Sequence, residues 1–275
     1  MSSAAADVAV RLSALRLVSF IPAARDAVRV GLLTLDATQV VDLTPLGITD
    51  ACDALAQLDL LRRTAGAIVH GGARVAFDVR EVHLVAPIPM ARSVVHDVSG
   101  TGVAFADPTT LHGPGSAITR EEATGARGGL AAVVGATLEA RSDPGDAELD
   151  NALVGTLLVL GWERPGPTGE PIVLPGAVGP FFAVPGRAPE SVIVTRVSPL
   201  ASAPTPDQKQ PLPAPDQAAF RALARMALRT HTLRPGDLLT IFPAVAETAM
   251  TSPMTAGSWI RLSAPGLGTL SLAVQ

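Results

Sequence analysis

Two stretches decide how this chain is read: Ala126-Arg127-Gly128-Gly129-Leu130-Ala131-Ala132-Val133-Val134-Gly135 and, after an acidic spacer, Gly155-Thr156-Leu157-Leu158-Val159-Leu160-Gly161-Trp162-Glu163-Arg164. Leu130–Leu138 and Thr156–Trp162 are near-continuous apolar runs of strand length. Such runs read as strands covered on both faces, because a half-exposed strand would alternate apolar with polar. Between them, Asp146–Leu153 reads as a short helix. The charges sit at the outer ends of the two runs, at Arg127 and at Glu163-Arg164, where a buried strand meets the loops that usually carry function.

Composition bounds the rest. The chain has 275 residues, 48% of them hydrophobic, with 25 acidic against 21 basic side chains. That is enough for one large domain, or one domain with a small companion, and for a sizeable core. The mildly acidic balance gives no support to nucleic-acid binding. Lys209 is the only lysine. Cys52 is the only cysteine, so neither an intramolecular disulfide nor a cysteine-based metal cluster can form. No basic-then-apolar leader opens the chain and no apolar run is long enough to cross a bilayer, so a cytoplasmic protein with no membrane partner is expected.

Working outward, Arg11–Phe20, Arg29–Leu35 and Val40–Leu43 read as strands. Thr49 or Asp50 can cap a helix to about Arg63, with Ala51, Leu55, Leu58 and Leu61 along one side. Val82–Ile88 and Arg92–Val98 read as strands. Residues 165–189, rich in proline and glycine, are expected to form a long loop with one or two short strands. Ser191–Val197 is a strand, 198–215 a proline-rich linker, and Asp216–His231 an amphipathic helix with Phe220, Leu223, Ala227 and Leu228 as its stripe. No G-x-S-x-G elbow, P-loop, H-E-x-x-H or dinucleotide fingerprint is present.

The order of these pieces resembles the fumarylacetoacetate hydrolase family. Ala86-Pro87-Ile88-Pro89, Asp107-Pro108-Thr109-Thr110-Leu111-His112-Gly113-Pro114-Gly115, Gly179-Pro180-Phe181-Phe182, Leu233-Arg234-Pro235-Gly236-Asp237 and Gly266-Leu267-Gly268-Thr269-Leu270 match family segments in sequence and in order. The resemblance implies a mixed, β-rich α+β fold: a small N-terminal β module over 1–85 and a family-like catalytic-fold domain over 86–275, assembled as a homodimer. It also implies a divalent metal held by two glutamates and an aspartate, with a histidine nearby. Those positions fall on Arg127, Gly129, Leu160 and, within a residue or two, Ala104. None offers a side-chain oxygen of the kind a hard cation takes. The family's lysine is replaced in Gly169-Glu170-Pro171, and its glycine-rich loop has become Ile241-Phe242-Pro243-Ala244. The fold is expected and the family's metal is not: no cofactor is assigned.

Candidate residues follow from what remains. Arg127 places a fixed cation where the metal's charge would lie, and guanidinium can hold a carboxylate or enolate bidentately; the plain alternative is an arginine facing solvent. Glu163 and Arg164 can orient a carbonyl or carboxylate, or can simply close the strand end as an ion pair. His112 is a candidate for proton transfer near neutral pH or an ordinary loop histidine. His96 and Asp97 interrupt a buried-looking strand; adjacent strand residues point to opposite faces, so only one can enter a pocket, and a hydrogen-bonded interior group is the other reading. Trp162, Phe181 and Phe242 complete the expected substrate contacts.

Three functions are compatible with this sequence. The first is a metal-independent enzyme acting on a small molecule: an isomerase, cyclase or lyase that works through an enol or enolate, as in bacterial secondary metabolism. The second is an inactive relative that binds or scaffolds. The third is a metal-dependent C–C hydrolase or decarboxylase of acylpyruvates.

Overall fold

The computed structural model describes residues 15–23, 26–70, 75–89, 91, 93–98, 102–118, 125–165, 171–184, 189–197, 209–243 and 256–275. The N-terminal part contributes β1 (Leu15–Pro22), β2 (Arg29–Leu33), β3 (Gln39–Asp42), α1 (Ala51–Ala56), α2 (Leu58–His70), β4 (Ala76–Asp78) and β5 (Val82–Val85). There follow β6 (Val94–Val98), β7 (Gly102–Ala106), β8 (Ala117–Ile118), β9 (Gly125–Val134), α3 (Asp146–Ala152), β10 (Leu153–Pro165) and β11 (Pro171–Val184). The chain closes with β12 (Ser191–Val197), β13 (Lys209–Pro213), α4 (Gln217–Leu228), β14 (Leu238–Ile241), β15 (Trp259–Ala264) and β16 (Gly268–Val274). This is a sheet-rich α+β fold with mixed sheets.

An 11-stranded sheet runs in the order β4-β3-β2-β1-β11-β10-β9-β14-β6-β7, with β5 pairing to β1 off that path. A second sheet has the order β13-β12-β15-β16-β8. Most pairings are antiparallel; β14–β6 and β16–β8 are parallel. Strand parity sorts the side chains into two cores. Ala126, Leu130, Ala132, Leu158, Leu160 and Trp162 join one cluster with Val194 and Leu262 of the smaller sheet and Phe220 and Leu223 of α4. Ala131, Val133, Leu157 and Val159 join the other with Ala54, Leu55, Leu58 and Leu61 of α1 and α2. Both faces of the large sheet are therefore covered, which is why its central strands read as continuous apolar runs.

The elements depart from the sequence reading in instructive places. The helix expected from about residue 50 to Arg63 is capped by Asp50, whose carboxylate accepts the Asp53 N–H, but it breaks at Gln57 and resumes as α2 as far as His70. Its buried stripe continues past Arg63 through Ala65 to Ile68. Residues 171–184, within the stretch expected as a long loop with one or two short strands, form a single 14-residue strand between β10 and β1. Its prolines do not break it. Pro175 sits at the register shift between Leu160 and Gly161, and Pro180 at the shift between Thr156 and Leu158, where the ladder is already interrupted. The strand expected at Arg11–Phe20 is β1 from Leu15 onward, and residues 11–14 lie outside the described residues, as do 198–208 of the expected linker.

Candidate functional site

β9 and β10 pair in antiparallel register, with Gly161 opposite Arg127, Val159 opposite Gly129 and Glu163 opposite Gly125. Arg127, Gly129, Gly161 and Glu163 therefore share one face. Diagonal neighbours on a sheet face lie within reach of long side chains, and the Arg127 Nε donates to Glu163 Oε1. Both groups are partly open: the side chains retain 26% and 12% of their exposure. A charged pair left partly open in this way can still meet a solute, which a fully buried pair cannot.

The third member arrives from β14. Continuing its pairing with β9, in which Ile241 lies opposite Leu130, brings Phe242 alongside Gly129. The ring lies over both glycines of the shared face: a Cβ on Gly161 would sit 2.6 Å from Phe242 Cε1, and one on Gly129 2.9 Å from its Cδ1. A Cβ at Gly129 would also lie 2.3 Å from the Ile241 carbonyl oxygen. Real Cβ contacts do not come that close, so the absence of side chains at 129 and 161 is what lets the ring in. Phe242 is itself half-buried. Arg127, Glu163 and Phe242 thus gather a cation, a carboxylate and an aromatic ring on one sheet face.

The structure distributes the other candidates elsewhere. Trp162 and Phe181 belong to the opposite face, buried between the two sheets; Trp162 lies over Gly176, where a Cβ would fall 1.8 Å from Nε1. Phe181 packs beneath Arg16, whose guanidinium carbon is 5.3 Å from the ring centroid. They shape the inter-sheet core and do not line the Arg127 cleft. His96 is 1% exposed and shares the Arg127 face, yet it lies beside Thr240, which pairs with Ala131. Two strand spacings across and four residues along separate its backbone from that of Arg127 by roughly 16 Å. His112 bridges to Ala177, donating its N–H to the Gly176 carbonyl at 2.8 Å and accepting from Val178 N–H at 3.0 Å; Ala177 in turn pairs with Leu160. Its backbone is thus fixed about two strand spacings, ~10 Å, from β10. Asp97 and Arg164 are strand residues of β6 and β10, and their side chains lie outside the described residues.

Parity also moves one position. Leu160, on which the family's aspartate falls by sequence, is 1% exposed and faces the opposite core. The residue that faces the cleft at that level is Gly161. The alternation alone carried this signal, since a partner for Arg127 and Gly129 must share the parity of Glu163.

Whether the fold's usual metal fits can be tested on this donor set. Gly129 and Gly161 contribute no side-chain oxygen, Arg127 contributes a positive charge, and the Glu163 carboxylate is engaged by that guanidinium. A divalent cation needs several oxygen ligands, and these residues do not fit it. Among the described residues there is no group of three or more His, Cys, Asp or Glu arranged to hold a metal ion. No helix among them is long and apolar enough to cross a membrane.

The architecture is that of the fumarylacetoacetate hydrolase fold over nearly the whole chain. Maleylpyruvate hydrolase from Sphingobium sp. SYK-6 superimposes with a TM-score of 0.69 at 17% identity, covering 94% of this chain and 98% of that one. A probable 2-hydroxyhepta-2,4-diene-1,7-dioate isomerase from Mycobacterium abscessus gives 0.69 at 18% identity, over 95% and 98%. Fumarylacetoacetate hydrolase from Exiguobacterium antarcticum gives 0.63 at 18%, over 95% and 99%. No family model matches the sequence, and no curated protein is significantly similar to it. Identities this low establish a shared fold.

Proposed function

We propose that this chain is a metal-independent enzyme acting on a small oxo-compound, an isomerase, cyclase or lyase working through an enol or enolate, with a place in bacterial secondary metabolism. The observation that carries the reading is the Arg127–Glu163 pair, its arginine partly open and its glutamate nearly buried, on the sheet face that also carries Phe242 and where the family resemblance would place carboxylates. An enolate needs two things from a protein: a base for the proton next to the carbonyl and a positive group for the oxygen. Glu163 takes the α-proton; the C–H electron pair becomes the new C=C bond and the carbonyl π pair moves to oxygen. Arg127 donates to that oxygen. As the carboxylate is neutralised its hold on the guanidinium weakens, so negative charge passes from Glu163 to the enolate while Arg127 stays partnered throughout. Returning the proton to another carbon gives the isomer. The Phe242 ring supplies an apolar wall that keeps water off the charges, which strengthens both interactions.

A second reading has its own support. The Phe242 ring lies over Gly129 and Gly161 and takes up space that a substrate would need, as expected of an inactive binding relative. The two are separated by following α-proton exchange of pyruvate and acetylpyruvate in deuterated buffer by NMR, with EDTA present. The enzyme reading expects exchange above the buffer rate, unaffected by EDTA and reduced roughly 100-fold or more in Arg127→Met and Glu163→Gln. Background exchange from well-folded wild-type protein would leave the binding reading standing. Hydrolysis of acetylpyruvate that requires added magnesium would overturn both.

A further inference from the structure

A half-open groove of about 490 Å³ lies in the N-terminal part of the molecule, well apart from the Arg127 cleft in sequence and lined by a different set of residues. Its walls are apolar: Pro22 at the end of β1, Val75, and Phe77 of β4, whose ring also packs on Phe20 at 5.6 Å between centroids. Its polar end is built by Arg29, Asp42 and Thr44. Asp42 is almost fully buried, with 1% of its side chain exposed, and each of its oxygens has a donor: Oδ2 accepts from Arg29 Nη1 at 2.5 Å and Oδ1 from the Thr44 N–H at 2.9 Å. Arg29, 17% exposed, is not saturated. Nη1–Asp42 is its one side-chain hydrogen bond among the described residues, which leaves the Nε and Nη2 donors of its planar fork. The Thr44 hydroxyl is shut off from water with no partner, an arrangement that destabilises unless something relieves it.

We propose that this groove is a binding site for a neutral, carbonyl-bearing apolar molecule, such as a carboxamide, ester or lactone on a ring or short chain. The charge decides the class. Arg29 and Asp42 already neutralise one another, so an incoming carboxylate would leave one unbalanced negative charge in a partly desolvated end, where charge is costly. A neutral carbonyl oxygen accepts from the spare guanidinium N–H groups at no such cost. The apolar body then covers Phe77, Val75 and Pro22, and a χ1 turn of Thr44 lets its hydroxyl join the same carbonyl. A structural clamp between β2 and β3 explains the ion pair alone; it explains neither the free half of the guanidinium nor the exposed Val75 and half-buried Phe77 beside it.

Three probes separate these possibilities on the full chain: benzamide, methyl benzoate and benzoate, followed by saturation-transfer NMR and by shifts in the ¹H–¹⁵N spectrum. Benzamide and methyl benzoate are expected to bind and to shift the Arg29 Nε–H and Phe77 signals, with benzoate weaker by 3-fold or more. Val75→Trp places a ring in the groove from an exposed position and is expected to abolish binding. Arg29→Lys keeps the charge facing Asp42 but removes the fork; it is expected to weaken benzamide roughly 3- to 10-fold, the worth of one hydrogen bond. Amide spectra report folding of both variants, and the wild-type shifts stand without them. Benzoate binding more tightly than benzamide, no binding by any probe at millimolar concentration, or binding that Val75→Trp leaves intact would each overturn the proposal.

Discussion

At the scale of single residues, the sequence showed which groups mattered more clearly than where they point. Arg127 and Glu163 stand out as charges at the ends of apolar runs, and the structure joins them. Their separation by 36 positions along the chain hides the contact, because a register cannot be read from either strand alone. Asp237 is the opposite case: it lies in the Leu233-Arg234-Pro235-Gly236-Asp237 match, which does not single it out as a group of its own, but it is 2% exposed, with Oδ2 accepting the Arg234 N–H and Oδ1 lacking a well-formed partner. Burial pushes its carboxyl above the usual range, against the opposing effects of Arg234, Ser93 and the charge of His231. The sign follows. A carboxyl whose folded pKa is raised binds its proton more tightly folded than unfolded, so its contribution is favourable below the unfolded value near 3.8 and is lost as pH rises through the folded one. Asp237→Asn keeps an acceptor for Arg234 and carries no charge. Its melting temperature should exceed that of the wild type at pH 7, with the gain shrinking as the pH approaches 3.8; an Asn variant less stable at pH 7 in a thermal scan would mean that the ionised form is favoured by contacts beyond these.

At the scale of elements, composition was a poor guide exactly where the ladder is irregular. Proline and glycine in 171–184 argued for a loop, yet those residues fall at two register shifts where a strand tolerates them. The helix expected from Asp216 was legible because periodicity and caps are local: Asp216 accepts from the Ala219 N–H at the start of α4. Arg221 and Arg225 of that helix reach Asp150 and Asp146 on α3, a pairing that no local pattern could announce. The β9–β10 pair makes a sharper prediction. If Phe242 is the neighbour that Gly161 accommodates, Gly161→Ala alone should destabilise the protein by about 1–3 kcal/mol through overpacking. In a Phe242→Ala background the same change should cost less, the remainder coming from Val173 Cγ1, which lies equally close at 2.6 Å. A urea-denaturation double-mutant cycle measures this, and a coupling below about 0.5 kcal/mol would place the ring elsewhere. Gly129→Ala should resist such rescue, since its added carbon meets the Ile241 backbone carbonyl.

For the whole molecule, the sheet is the feature that the sequence conveyed least. β1 pairs with β11, joining Leu17 to Phe182 across most of the chain, so hydrogen bonding runs unbroken through the boundary expected near residues 80–90. Anchors such as Gly266-Leu267-Gly268 recorded the fold because turns need particular residues: Gly266 and Gly268 both hold positive φ angles. The site left no comparable anchor, since the fold persists on cores and turns that do not depend on the cleft. That independence is itself testable. A protein whose native state holds a divalent ion at a hundred times its dissociation constant gains about 2.7 kcal/mol, worth roughly 5–10 °C in melting temperature for a chain of this size. With a cation and two glycines where the ligands would stand, EDTA, magnesium and manganese should each leave the melting temperature unchanged to within about 1 °C. Arg127→Glu would set a second carboxylate beside Glu163 on that face without adding a Cβ at the crowded Gly129, and only there should a manganese-dependent rise appear. A rise of several degrees in the unaltered protein would show instead that carboxylates outside the described residues complete a metal site, and the guanidinium would then have to be assigned a different part in the chemistry.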